Sequence, residues 1–394
     1  MSRLLSSSKY TNIILALVGF FLFSFFVTDM NASRQMTIPY RILSLFFAVF
    51  IITKSIKSQV SVNKILLIFW GLYAVRLFYD LFIINKPIIG NVSNKEWEFV
   101  AYAIGTCFIP MLSMHYTKSV NFYSLGKIMI IILTILILYS ILLNSENLVD
   151  DSENKRLDGN VILNSISYGH YSVSLFAISL FFLIKNKSFL YIIPLILGLY
   201  VMLVAGSRGP LIATIVIFVV VAIFFASRGL KNALITILIG FVVVVGIDVI
   251  MSFFLHNFQT MYSRIIGDNV YYVGSGRDNL FLEALKLFLD NPITGSDFLL
   301  RKDDVLYYFP HNLPIEAFMA CGILGGGTFL YLYLKGIYWA TKGFFSQHDG
   351  AWICLLFLQQ AVGVLFSGTL WNASPFWCLL VLVSVVNQKY QKIR

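Results

Sequence analysis

Arg208, Arg277 and His311 combine reactive side chains with suggestive surroundings. Arg208 lies in Ala205-Gly206-Ser207-Arg208-Gly209-Pro210, between two apolar runs. The glycines allow a tight reversal, and Pro210 suits the first turn of a helix. An arginine there presents a planar fork of donors that fits a phosphate oxygen; an arginine snorkelling to lipid headgroups has the same sequence. Arg277 stands in Gly274-Ser275-Gly276-Arg277-Asp278, a turn leading into Leu280, Phe281, Ala284, Leu285, Phe288 and Leu289 at helical spacing. An anion at Arg277 would also feel the helix N-terminus. His311 follows Tyr307-Tyr308-Phe309-Pro310 and precedes Asn312, Pro314 and Glu316. Histidine is the side chain best suited to accept a proton near neutral pH; a hydrogen-bonded interfacial histidine is the other reading.

Further ionisable groups lie inside apolar runs: Arg41, Arg76, Asp80 and Asp248. Such groups are costly in a membrane and are functional candidates by default. Arg76 and Asp80 share a helix face at i, i+4, either as an ion pair that fixes packing or as part of a polar cavity. His115, His170, His256 and His348 are weaker candidates. Asp303-Asp304 follows Arg301-Lys302 and reads as a solvated turn in preference to a metal motif. Gly325-Gly326-Gly327 lies inside an apolar run, where small residues let helices pack closely. Cys107, Cys321, Cys354 and Cys378 show no paired spacing and read as small membrane-buried side chains, not as a disulfide or metal set.

The elements that must position these groups follow from composition. The chain has 394 residues, 58% of them hydrophobic and 12% charged. A soluble domain carries roughly 25% charged residues, so a soluble enzyme, a disulfide scaffold and a disordered binder are excluded. Net charge is +10, but the bases are scattered in ones and twos, which argues against nucleic acid. Apolar runs fall at 12–28, 38–53, 65–84, 98–115, 123–143, 162–184, 188–205, 210–227, 233–254, 313–338, 351–370 and 373–388. An all-α polytopic membrane protein with about twelve spans is expected. The first run resembles a signal peptide without a convincing cleavage site, and reads as an uncleaved helix.

With both termini cytoplasmic, the inner segments collect Lys54, Lys57, Lys185, Lys187, Arg228 and Lys342, and their acid is Asp349. Arg41, Arg76, Asp80, Arg208, Arg277 and His311 then all lie toward the outer face. Outer loops are expected at 85–97 and 144–161, with a larger one from 255 to 312 carrying an amphipathic helix. The inner loops are too short for a nucleotide-binding domain, and no P-loop is present.

Several of these motifs occur together in one known superfamily. Ser207-Arg208-Gly209, Gly276-Arg277 opening a helix that ends at Asn291-Pro292-x-x-Gly295, His311-Asn312 with Glu316, and Gly322-Ile323-Leu324-Gly325 resemble the O-antigen ligases and polymerases. The resembling block covers roughly residues 200–330. The resemblance implies a bacterial inner-membrane glycosyltransferase of the GT-C type that works on the periplasmic side without metal or nucleotide. Its donor would be an undecaprenyl-diphosphate-linked glycan. Its acceptor would be the next lipid-linked repeat unit or lipid A–core. Arg208 and Arg277 would hold the diphosphate, and His311 would activate the acceptor hydroxyl. Arg41, Arg76, Asp80, Asn312 and Glu316 are candidate substrate-binding residues. Membrane lipids and a polysaccharide chain-length regulator are the implied partners.

The expected division is 1–205 for N-terminal helices, 206–338 for the catalytic core and 339–394 for C-terminal helices. The outer loop is short, about 57 residues from His256 through Asn312, which favours a polymerase over a ligase. A transporter is the rival from another class. Carriers usually show two related halves, and no internal repeat is visible here.

Overall fold

The computed structural model describes residues 33–55, 62–84, 99–117, 119–143, 164–229, 277–302 and 306–391, with Phe25 and Leu234 besides. The rest of the expected spans at 12–28 and 233–254, Asp248, both lesser outer loops and Asp303-Asp304 lie outside the described residues. For Arg277 the backbone alone is described.

The described chain is built of helices. α1 is Ser33–Ser55, and α2 is Lys64–Phe78, continued by a π-helical turn at Tyr79–Ile83. α3 is Phe99–Met114, π-helical over Tyr102–Phe108. α4 is Phe122–Leu143, α5 Ser165–Asn186, α6 Ile192–Val204 and α7 Arg208–Ala226. α8 is Arg277–Asp290. Two short antiparallel strands follow, β1 Leu300–Lys302 and β2 Leu306–Tyr308, with Arg301 opposite Tyr307. The chain closes with α9 Leu313–Phe345, α10 Ala351–Gly363 and α11 Ser374–Gln391.

In hydrocarbon the backbone must satisfy its own hydrogen bonds, and an apolar run does so as a helix. Several of the starts are capped by asparagines. Asn63 accepts from Ile65 N at 3.1 Å, Asn164 from Ser167 N at 3.0 Å and Asn312 from Ile315 N at 3.1 Å. Lys64–Ile83, Phe122–Leu143, Ser165–Asn186, Arg208–Ala226 and Leu313–Phe345 are long and apolar enough to cross a membrane. Ile38–Thr53, Phe99–Met114, Phe189–Val204 and Ala351–Gly363 are apolar but shorter. The chain is therefore a helical, polytopic membrane protein, and the total of twelve spans stays an expectation. The small β-ribbon departs from a purely helical reading.

α10 is buried from Ala351 through Gln359 and forms the axis of the bundle. A helix apolar on every face belongs in such a place. Trp352 Nε1 donates to the Phe122 carbonyl at 2.9 Å and Trp377 Nε1 to the Leu370 carbonyl at 2.9 Å, so both buried indoles keep a partner. Phe69 stacks on Trp377 at 5.2 Å, joining α2 to α11. The perimeter exposes Ile42, Phe46, Leu142, Ile193 and Ile215, as a lipid-facing surface would.

The helices alternate in direction, so the bundle has two distinct ends. At one end Lys185 pairs with Asp349 at 2.6 Å and Lys389 Nζ donates to the Val120 carbonyl at 2.7 Å. The starts of α5, α7, α9 and α11 gather at the other.

α9 is broken near its start, at Gly322 (φ 62°, ψ −162°). The turn after α8 fills the break: Ser296 N donates to the Met319 carbonyl at 2.8 Å and Ile323 N to the Pro292 carbonyl at 2.7 Å. The glycine run reads differently in this light. A Cβ on Gly325 would strike Cys321, and one on Gly326 would strike Phe318, both within α9 itself, while Gly327 faces open space. The run accommodates the kink and not a neighbouring helix.

Candidate functional site

Asn312 ties the start of α9 to the end of α10. Its Nδ2 donates to the Leu365 carbonyl at 3.1 Å, and Leu313 N donates to the Val364 carbonyl at 3.0 Å. Glu316, one turn on, is buried; its carboxylate accepts from Thr369 Oγ1 at 2.8 Å and from Leu370 N at 3.1 Å. These bonds bend residues 364–373 around the head of α9. His311, just before the cap, takes a left-handed backbone (φ 54°). A non-glycine residue held there costs about 1–3 kcal/mol, and such strain clusters at functional sites. The ring packs edge-on against Phe309 with centroids 4.4 Å apart.

His311 lines a cavity of about 350 Å³ between the 364–373 segment and the head of α5. His170 of α5 lines it as well, with Asn164, Gln360, Thr369 and Asn372. Arg208 lies at its margin. Gly206 takes φ 59° and turns the chain, Ser207 is buried as the N-cap, and Arg208 begins α7 with its side chain exposed. A Cβ on the next residue, Gly209, would lie 3.7 Å from His170 Nε2, and one on Gly169 would lie 2.7 Å from Pro210 Cγ. The head of α7 is thus seated on α5 beside the cavity. The tight reversal and the first-turn proline expected from the sequence are both present.

α8 is pinned to α9 along Leu280, Ala284, Leu287, Ile315 and Met319, and Phe288 packs on Phe318 at 5.3 Å. Leu282, Leu285 and Leu289 face outward. Arg277 is the first residue of this helix. Arg76 fixes the other end: Nη1 donates to the Gly295 carbonyl at 2.9 Å, and Nη2 to the Ser296 carbonyl at 2.6 Å and to Asp80 at 3.2 Å. Arg76 and Asp80 are an ion pair, with side chains 12% and 2% exposed, that clamps the turn after α8. Arg41 stacks over the Tyr102 ring at 4.0 Å, and Tyr102 meets Trp371 at 5.6 Å, next to Asn372 of the cavity wall.

The structure therefore brings His311 together with the Arg208 segment. It sets Asn312 and Glu316 to hold the wall, Arg76 and Asp80 to hold α8, and Arg41 to one side behind Trp371. Sequence reading gave little weight to His170 and none to Gln360, Thr369 and Asn372. A signal was available: Gln359-Gln360 interrupts an apolar run, and Ser167, His170 and Ser174 put a polar face on another.

These strands of geometry lie largely within one recognised sequence block. Residues 193–330 match the family model of the O-antigen ligases. That O-antigen ligase block carries Arg208, Arg277, Gly295, His311, Asn312, Glu316 and Gly322 and runs from α6 into α9. The match supports membership of the O-antigen ligase and polymerase superfamily, membrane enzymes whose substrates are lipid-linked glycans. No curated protein matches the chain. The cavity extends past the O-antigen ligase block, because His170 and the 364–373 wall lie outside it.

Proposed function

We propose that the protein polymerises undecaprenyl-diphosphate-linked oligosaccharide repeat units on the periplasmic face of a bacterial inner membrane. The observation that carries this reading is the polar cavity lined by His311, with the head of α7 seated beside it, inside a chain whose 193–330 block is of the O-antigen ligase type. His311 accepts the proton of an acceptor sugar hydroxyl, or orients that hydroxyl. The hydroxyl oxygen attacks the donor's anomeric carbon, and the bond to the diphosphate oxygen breaks with its electron pair. The configuration inverts, and undecaprenyl diphosphate leaves. Charge developing on it is met by Arg208 and Arg277. α8 supports this geometry: packed along α9, its 14 residues carry Arg277 about 20 Å from the Gly322 kink.

The polyprenyl tail needs a lipid-facing groove. One of about 360 Å³ runs between α2 and α3, walled by Leu67, Gly71, Ala74, Phe78 and Ile104. Arg41 heads a second groove beside it, between α1 and α3.

Transfer to lipid A–core is the second reading, favoured by the description of the matching family as O-antigen ligases. Deleting the gene separates the two. Surface decoration that shrinks to single repeats supports the polymerase. Loss of all decoration while long lipid-linked chains accumulate supports the ligase. Normal polysaccharide would overturn both.

A further inference from the structure

The cavity contains a second imidazole that the proposed transfer does not use. His170 lies on α5, outside the 193–330 block, yet lines the same space as His311. Its backbone is held firmly. The His170 carbonyl accepts from Gln359 Nε2 at 2.6 Å, and Ser174 Oγ sits 2.9 Å from both that carbonyl and Gln359 Oε1. Gln359 and Ser174 are buried, so α5 and α10 are fastened at this level. One glycine makes room for the ring: a Cβ on Gly363 would lie 2.8 Å from Cε1, while one on Gly209 would be in ordinary contact, 3.7 Å from Nε2. Among the described residues His170 Nδ1 has no hydrogen-bond partner.

The chemistry of the wall narrows the ligand. Among the described residues lining the cavity none is Lys, Arg, Asp or Glu; its polar groups are amides, hydroxyls and the two imidazoles. A phosphate buried there would lack a countercharge, which is costly. A neutral ring of hydroxyl groups matches donors and acceptors of this kind, and a volume of about 350 Å³ holds one or two sugar residues.

We propose that His170 is a carbohydrate-binding residue, gripping a sugar of the lipid-linked glycan opposite His311 while the phosphates stay outside at the arginines. This rests on the proposed transfer reaction for its substrate class. His170 binds and takes no part in the proton transfer.

The test uses full-length protein in lipid nanodiscs and two separate probes. One is the repeat-unit oligosaccharide from the producing strain, freed of lipid by mild acid. The other is undecaprenyl diphosphate without sugar. The expected result is that His170→Ala binds the oligosaccharide about tenfold more weakly, with undecaprenyl diphosphate within twofold of wild type. His170→Gln, which keeps a donor and an acceptor, recovers part of the loss. Gly363→Ala, which crowds the ring, reproduces the defect. The proposal is overturned if folded His170→Ala or folded Gly363→Ala binds the oligosaccharide within twofold of wild type, or loses both probes equally. If wild-type protein binds the sugar but transfers none, the transfer reading fails and the sugar site stands. If wild type transfers and His170→Ala keeps its KM and kcat, the sugar site fails and the transfer reading stands.

Discussion

Gly322 meets Gly295 backbone to backbone: a Cβ on Gly322 would lie 2.9 Å from the Gly295 nitrogen and would collide with the Ile293 carbonyl. Both glycines have positive φ, 62° and 77°. One interrupts a membrane helix, and the other turns the chain that fills the interruption. This explains why Asn291-Pro292-x-x-Gly295 and Gly322 occur together in the same block. Asn291 contributes a bond from Nδ2 to Ser296 Oγ at 2.9 Å within the turn.

Gly322→Ala is expected to cost at least about 2 kcal/mol from backbone strain alone, before the collision is counted. A thermal melt of detergent-purified protein reads this directly. Gly327, whose added Cβ meets open space, is the control, and Gly327→Ala should melt close to wild type. Equal melting temperatures for the two variants would contradict the interlocked turn.

Arg76 and Asp80 should behave as a coupled pair. Arg76→Ala removes the ion pair to the buried Asp80 carboxylate and frees the carbonyls of Thr294, Gly295 and Ser296, an expected loss of about 3–5 kcal/mol. Arg76→Ala/Asp80→Asn should recover part of that, since the buried negative charge is gone. A double-mutant cycle on thermal stability measures the coupling. Strict additivity would show that the pair does not act as one clamp.

His311→Ala and Arg208→Ala are each expected to lower glycan transfer by about a hundredfold or more with folding intact. The assay is elongation of purified lipid-linked repeat units without ATP. Chelation with EDTA is expected to leave the rate unchanged, because in the proposed reaction the arginines supply the charge stabilisation. Full activity in either variant refutes the assignment of that residue, and a rate abolished by EDTA and restored by a divalent ion refutes the metal-independent reading.

At the opposite end of the bundle, His348 stacks on Tyr390 at 4.6 Å between centroids. Burial holds its pKa down to about 4, below the usual 6.5, with Lys185 pushing the same way and contacts to Asn387 and Asp349 opposing. The unfolded chain therefore takes up a proton near pH 6.5 that the folded chain refuses until near pH 4. Its contribution is full above pH 6.5 and is lost as the pH falls toward 4. His348→Gln should flatten that part of the stability profile relative to wild type between pH 7 and 4.5. Parallel profiles would disprove it.

Much of the scaffold could be read from its apolar runs, because hydrocarbon leaves an apolar chain few alternatives. The runs at 38–53 and 188–205 became Ile38–Thr53 and Phe189–Val204. The run at 351–370 overshot, since its helix stops at Gly363 beside the His170 ring and the chain then turns into the cavity wall. Composition hid that stop: Val364, Leu365 and Phe366 are apolar, and their turn is set by Asn312 and Glu316 from elsewhere in the chain. The β-ribbon was not visible because three-residue strands are too short to show a period. The Arg76–Asp80 pair was legible in the sequence, but its grip on the turn after α8 and the roles of Asn312 and Glu316 as braces were not, for those partners are mostly backbone groups more than fifty positions away.

α10 is short for a central helix: it has 13 residues, about 20 Å of rise, against a hydrocarbon thickness of about 30 Å. A helix that starts at one hydrocarbon boundary and stops at Gly363 leaves the floor of the His311 cavity about 10 Å short of the other. In the proposed reaction a saccharide would descend past the interface to reach that floor, and its prenyl anchor would rise little for the two to meet.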